Sequence, residues 1–176
     1  NGVDDAMVTN PDADTTFEGS PVTIDVLTND SDVDSGDTLS INSVNQPTDA
    51  NDGTVVNNGT DLTFTPGSNF EGLGVGESAT TTFTYVVEAA GSGETRTETV
   101  TVTVNGLNDD PLAADDVGTT DEDTSVVIDV LNNDTDADTN DTLEVTAVSQ
   151  PPAGQGSVSI TNGGGDVTFN PGADFQ

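Results

Sequence analysis

Apolar and polar side chains alternate along most of this chain. Val22, Ile24 and Val26 share one face of a run whose other face carries Thr23 and Asp25. Phe83, Tyr85 and Val87 repeat the pattern, as do Val100, Val102 and Val104 between threonines. Leu39, Ile41 and Val44 open a further run, and Leu62 with Phe64 form another. Successive side chains of a strand point to opposite faces, so a period of two in β-branched and aromatic residues predicts half-buried antiparallel strands. Turn signals separate the runs: NNG at 57–59, PG at 66–67 and AAGSG at 89–93. No stretch carries a helical period.

The pattern occurs twice. A shift of 104 residues lays VTIDVLTND (22–30) on VVIDVLNND (126–134), Glu18 on Glu122 and Gln46-Pro47 on Gln150-Pro151. The register then drifts by about one residue, and LTFTPGSNF (62–70) meets VTFNPGADF (167–175). The expected organisation is a first repeat over 1–104, a linker over 105–111 and a second repeat over 112–176 lacking its last strands. About seven strands in some 100 residues predict an all-β chain of tandem β-sandwiches of the immunoglobulin or cadherin type. No leader is legible at the start, and Gln176 precedes any equivalent of residues 72–104, so a mature fragment or an internal piece of a longer protein is expected. The short second repeat is completed either by further residues of the same chain or by strand addition from another copy.

Composition narrows the chemistry. The chain has 33 acidic side chains and a single basic one, Arg96, for a formal charge of −32. Such a charge argues against nucleic acid and anionic membrane surfaces as partners and favours cations. No apolar run reaches membrane-spanning length, so no membrane insertion is expected. Cys, His and Lys are all absent, which removes disulfides, thiolate and imidazole catalysis, Schiff bases and Cys/His zinc sites. The catalytic option left is a carboxylate pair, and no pair is singled out, so the chain is not expected to be an enzyme.

The acids are not evenly spread. Asp30, Asp32, Asp34 and Asp37 crowd the loop between the second and third predicted strands, and Asp134, Asp136, Asp138 and Asp141 occupy the matching places of the second repeat. Bulk charge does not require fixed spacings, whereas a Ca2+ shell of six to eight oxygens does require convergent hard donors. Asp4 and Asp5 precede the first cluster as Asn108, Asp109 and Asp110 precede the second, and Glu18 follows the first predicted strand. The expected second site therefore draws on Glu18, the linker residues Asn108, Asp109 and Asp110, and the cluster Asp134, Asp136, Asp138 and Asp141. The first would have Asp4, Asp5, Asp30, Asp32, Asp34 and Asp37. An EF-hand loop does not fit, because its twelfth position falls on Ile41 or Val145 where a bidentate Glu belongs.

The strings VIDVLNNDTDADTNDTLEVTAVSQPPAGQGSVSITNGGGDVTFNPGADF and FTYVVEAAGSGETRTETVTVTVNGLNDDP, with DEDT at 121–124, resemble the cadherin-like tandem repeats of large bacterial extracellular adhesins of the RTX type. The resemblance implies β-sandwiches, Ca2+ between or near domains, and a role in extending or displaying an adhesin at the cell surface. It implies Glu18, Asn108, Asp109, Asp110 and Asp136, with Asp134 or Asp138, as ligands. Gly106 stands where the animal cadherin linker begins with Asp, which implies fewer ions per junction than animal cadherins hold. The function expected is that of a calcium-stiffened structural repeat of a surface adhesin or filament, with neighbouring repeats as its partners. The alternative is a module that binds carbohydrate or another cell surface.

Overall fold

A computed structural model describes residues 5–34 and 36–172 and divides the chain into two units, residues 1–108 and 109–176. The first unit has seven strands: β1 (Asp12–Phe17), β2 (Val22–Ile24), β3 (Leu39–Asn45), β4 (Gly53–Asn57), β5 (Leu62–Pro66), β6 (Ser78–Ala89) and β7 (Thr95–Asn105). They form a four-stranded sheet in the order β1-β7-β6-β3 and a three-stranded sheet in the order β2-β5-β4. All pairings are antiparallel except β1 with β7, which is parallel.

Alternation places the core between the two sheets. Phe83, Tyr85 and Val87 of β6 and Val100, Val102 and Val104 of β7 face Ile24, Val55, Leu62 and Phe64 of the other sheet, all of them buried. Phe64 and Phe83 stack across this layer, with ring centroids 5.9 Å apart and planes 15° from parallel. Each fully buried Val, Leu or Phe contributes about 1.5–3 kcal/mol relative to exposure, so this layer supplies most of the unit's stability.

Local departures from simple alternation have local causes. The step from Ile41 to Val44 is odd, and a bulge between Ile41 and Ser43 absorbs the extra residue so that both side chains turn inward. The run at 22–28 is a strand only over Val22–Ile24, and a turn follows, although Val26 stays fully buried. Thr80 and Thr82 are exposed, but Thr81 points inward and its hydroxyl donates to Asp52 Oδ2 at 3.0 Å. A period of two requires one of three consecutive residues to face in.

The second unit holds β8 (Val126–Ile128), β9 (Ser157–Thr161) and β10 (Asp166–Asn170) in one antiparallel sheet of order β8-β10-β9. This sheet matches β2-β5-β4 strand for strand. Residues 116–121 and 142–150, which align with β1 and β3, form no strand. The reason lies in the first unit: β1 pairs only with β7, and β3 only with β6. Among the described residues of the second unit no apolar side chain beyond glycine is fully buried.

Candidate metal centres

The loop after β2 folds back on the segment that leads into β1. An isolated antiparallel bridge joins Val8 to Ser31, with Val8 N–H donating to Ser31 O at 2.8 Å and Ser31 N–H to Val8 O at 2.9 Å. Asp30 and Asp32 flank the bridged Ser31, one on either side along the chain. Asp30 Oδ1 accepts from Asn10 N–H at 2.9 Å, holding the incoming segment. On the other side Asp34 N–H donates to Asp32 Oδ1 at 2.9 Å, Asp5 N–H to Asp34 Oδ2 at 2.7 Å, and Asp37 N–H to Asp34 O at 3.0 Å. These bonds gather Asp32, Asp34 and Asp37 so that one carboxylate oxygen from each lies within 4.8 Å of the others. Asp32 Oδ2 and Asp37 Oδ2 are buried and accept no hydrogen bond.

The second unit repeats the arrangement bond for bond. Leu112 and Thr135 form the bridge at 2.8 and 3.1 Å, and Ala114 N–H donates to Asp134 Oδ1 at 2.8 Å. Asp138 N–H donates to Asp136 Oδ1 at 3.0 Å, Asp109 N–H to Asp138 Oδ2 at 2.8 Å, and Asp141 N–H to Asp138 O at 3.2 Å. Asp136, Asp138 and Asp141 converge within the same 4.8 Å. Asp138 is only 3% exposed, and its Oδ1 is buried without a hydrogen-bond partner.

Three carboxylates at this separation repel by about 1–3.5 kcal/mol per pair, depending on the effective dielectric. Two oxygens bound to one Ca2+ at 2.3–2.6 Å can be at most about 5 Å apart, so the spacing found here suits a single shared ion. The donors are hard oxygens, and the buried acceptors without hydrogen bonds are those that a cation would satisfy. The residues present therefore fit calcium.

Asp30 and Asp134 lie outside the converging groups of three, and each accepts from a backbone N–H of the incoming segment instead. Asp5 reaches its cluster through its backbone N–H; Asp109 does so too, and its carboxylate also brings an oxygen within 4.8 Å of one of Asp138. In the first unit Glu18 is 6% exposed and accepts from Leu107 N–H at 2.6 Å. Asn108 and Asp110 are exposed, and Asp4 lies outside the described residues.

Sequence reasoning did not single out Glu94, just before β7, or Glu98 within it. Met7 N–H donates to Glu94 Oε2 at 3.0 Å and Thr9 Oγ1 to Glu98 Oε1 at 2.5 Å, which straps the incoming segment of the first unit to this strand. Arg96 pairs with Glu94 at 2.8 Å. Glu98 continues the inward phase of Val100 and Val102, opposite Tyr85, and Glu94 lies before the strand, so the apolar run that marks β7 ends before it reaches either. Gly91, in the turn joining β6 to β7, packs against Asp37, and a Cβ there would overlap the carboxylate.

Beneath the first cluster, the Tyr85 hydroxyl donates to Asp12 Oδ2 at 2.8 Å and lies 3.0 Å from Val26 O. Burial, chiefly, pushes the Asp12 carboxyl above its ordinary value, and the charge of Asp30 adds to the shift. Burial and the same carboxylates push the Tyr85 phenol up as well. A carboxyl whose folded pKa is raised adds stability that is complete below its unfolded value and is lost as pH rises through the folded value. Asp12→Asn should therefore raise the melting temperature of the first unit at pH 7 in chelator and flatten its gain in stability on mild acidification. Scanning calorimetry between pH 4 and pH 7 checks this (about the range in which carboxyls titrate), and a lower melting temperature at pH 7 would refute it.

A family model described as a bacterial Ig domain matches residues 4–103 and again residues 108–176. The chain belongs to this bacterial Ig domain family. It carries two tandem copies of an immunoglobulin-like, all-β domain, the first built as a two-sheet sandwich. No curated protein sequence matches the chain. Among solved structures, the endo-fucoidan hydrolase MfFcnA4 from glycoside hydrolase family 107 is similar at 16% identity and a TM-score of 0.40, over 94% of this chain and 24% of that one. The chain thus spans about a quarter of that protein's length. Bacterial Ig-like domains are usually extracellular or surface-exposed, and no helix among the described residues is long and apolar enough to cross a membrane.

Proposed function

We propose that these two Ig domains are structural repeats of a bacterial extracellular adhesin or surface filament, stiffened by calcium. The observation that carries the reading is the duplicated carboxylate cluster with buried, unpartnered oxygens, Asp138 Oδ1 above all. In each unit the cluster already holds the incoming chain by a backbone N–H, from Asp5 or from Asp109. A cation there would replace repulsion by attraction and fix that segment to the domain it enters, which shortens the free linker. Extracellular modules bind calcium at roughly 0.1–1 mM, a range in which calcium outside the cell keeps the ion bound. On the sequence alone we extend the ligand set of the second unit to Glu18, Asn108 and Asp110.

Calorimetric titration with CaCl2 tests the reading. Wild type should show saturable binding, Asp138→Asn should lose the component belonging to the second unit, and Glu18→Gln should weaken it if the extended set is right. Stiffening is read separately from cysteines placed at the exposed positions Thr60 and Gln155 and spin-labelled, because the native chain has no cysteine to interfere. Calcium should narrow the distribution of label distances. An unchanged distribution with saturated sites would leave calcium binding intact and remove the stiffening role.

A further inference from the structure

Each unit turns one of its hairpins on the same dipeptide. Asn58-Gly59 stands between β4 and β5, and Asn162-Gly163 between β9 and β10. Asn105-Gly106, where β7 ends, is a further such pair, and Asn1-Gly2 lies outside the described residues. Asparagine before glycine carries a latent reaction. The glycine nitrogen can attack the asparagine side-chain carbonyl carbon, because no Cβ on the following residue stands in the way. The attack needs a backbone nitrogen free of hydrogen bonds, an amide side chain free to swing, and a main chain able to rotate. The three described pairs differ in these respects.

Asn58 and Asn105 are held. At Asn58 the attacking nitrogen is occupied, since Gly59 N–H donates to Asn57 Oδ1 at 2.8 Å. The side-chain amide is clamped as well, with Asn58 Nδ2 donating to Asp61 Oδ1 at 2.6 Å and to Thr63 Oγ1 at 2.9 Å. At Asn105, Gly106 N–H donates to Glu77 O at 3.0 Å and Asn105 O accepts from Glu18 N–H at 3.0 Å. Gly106 is also buried against Leu73 O, which a Cβ would overlap. Nothing equivalent holds Asn162. It and Gly163 are exposed, and neither the Asn162 side chain nor Gly163 N–H makes a hydrogen bond among the described residues. The bond across the turn runs from Gly165 N–H to Asn162 O at 3.3 Å and involves neither reacting group. Gly164 and Gly165 follow, so the turn has no side chain to clamp the amide as Asp61 does. Asn162 and Gly163 both take left-handed dihedrals, with φ of 53° and 66°. That conformation carries a steric cost for any residue with a Cβ, and the glycines after it let the main chain rotate away.

We propose that Asn162 is a modification site, at which the chain deamidates itself through a succinimide. Gly163 N bonds to Asn162 Cγ, the side-chain amide takes up the Gly163 N–H proton and leaves as ammonia, and a five-membered imide closes. Water then opens the ring at one carbonyl or the other. One opening restores the main chain with an ordinary aspartate. The other routes the main chain through the side-chain carbon and leaves an isoaspartyl link. Each product carries one more negative charge than the starting chain. The isoaspartyl product also lengthens the main chain of the turn by one carbon, next to the Thr161–Asp166 pair that closes the β9–β10 ladder. The reactants are the chain and water alone. Neither carboxylate cluster lies in this hairpin, so the inference stands apart from calcium. The fold restrains Asn58 and Asn105 and leaves Asn162 open, which confines a chemistry common to all three pairs to one hairpin tip.

The test holds the full chain in mildly alkaline buffer and follows each Asn-Gly pair by peptide mass spectrometry, with aspartate and isoaspartate products separated by chromatography against synthetic peptides. Asn162 should convert several-fold faster than Asn58 or Asn105 and give both products. In the chain unfolded by urea the three pairs should convert at similar rates, because the hydrogen bonds that distinguish them are gone. A variant carrying Asn57→Ala and Asp61→Ala frees both Gly59 N–H and the Asn58 amide. In it Asn58 should approach the rate of Asn162, while Asn105 in the same molecule stays slow and shows the first unit still folded. Equal rates at the three pairs in the folded chain would overturn the proposal, as would Asn58 or Asn105 converting first. Asn162 staying intact while the unfolded chain converts would overturn it too, and so would an Asn58 that stays slow once its clamps are removed.

Discussion

Calcium at about a hundred times its dissociation constant is expected to raise the melting temperature of the first unit by roughly 10–20 °C. One ion bound only to the folded state contributes about 2.7 kcal/mol at that excess, and each kcal/mol moves a domain of 60–100 residues by about 4–8 °C. Asp32→Asn/Asp37→Asn should abolish the shift in the first unit, and Asp136→Asn/Asp138→Asn should abolish it in the second. The sign in chelator is the sharper expectation. There the variants should melt above wild type, because each removes mutual repulsion on the order of 1 kcal/mol per carboxylate pair and leaves an isosteric side chain in place. Calcium therefore reverses the order of wild type and variant. A generic acidic surface behaves differently: NaCl screens it as CaCl2 does at equal ionic strength, and the order of the proteins stays the same in both. Stabilisation matched by NaCl would remove calcium from the account.

How the aspartate clusters assemble shows what the sequence discloses and what it leaves to the fold. Four aspartates recurring at an offset of 104 residues mark the loop, because composition alone does not keep spacing. Which of the four converge is decided by backbone N–H groups that bond their carboxylates around the Val8–Ser31 and Leu112–Thr135 bridges, and such bonds leave no mark on side-chain identity. They turn Asp30 and Asp134 to the incoming segment and the remaining three toward one another. The strands behave similarly. Alternation identifies β3, β5, β6 and β7 and their inward faces, since burial of one face is what selects the alternation. The parallel pairing of β1 with β7 is invisible to that pattern: Asp12, Asp14 and the two threonines after them carry little apolar signal, and the strand is fixed by its partner's edge. Glu94 and Glu98 are legible only once that partner is known, because their role is to hold a segment more than 80 residues away in the chain.

Phe64 and Phe169 put the difference between the two units to a direct test. They occupy the same register position in matching sheets. Phe64 is fully buried and stacks on Phe83, so Phe64→Ala leaves a cavity in the layer between the sheets. Such truncations cost about 3–5 kcal/mol, against a total of about 5–15 kcal/mol for a domain, so the first unit should melt at least about 12 °C lower or fail to fold. Phe169 is partly exposed, so Phe169→Ala gives up less transfer energy and opens a space that water already reaches. Its cost should be on the order of 1 kcal/mol. Hydrogen exchange resolved by residue separates the two effects, because each substitution should act on the amides of its own unit. Equal costs would mean that the second unit closes its core without help.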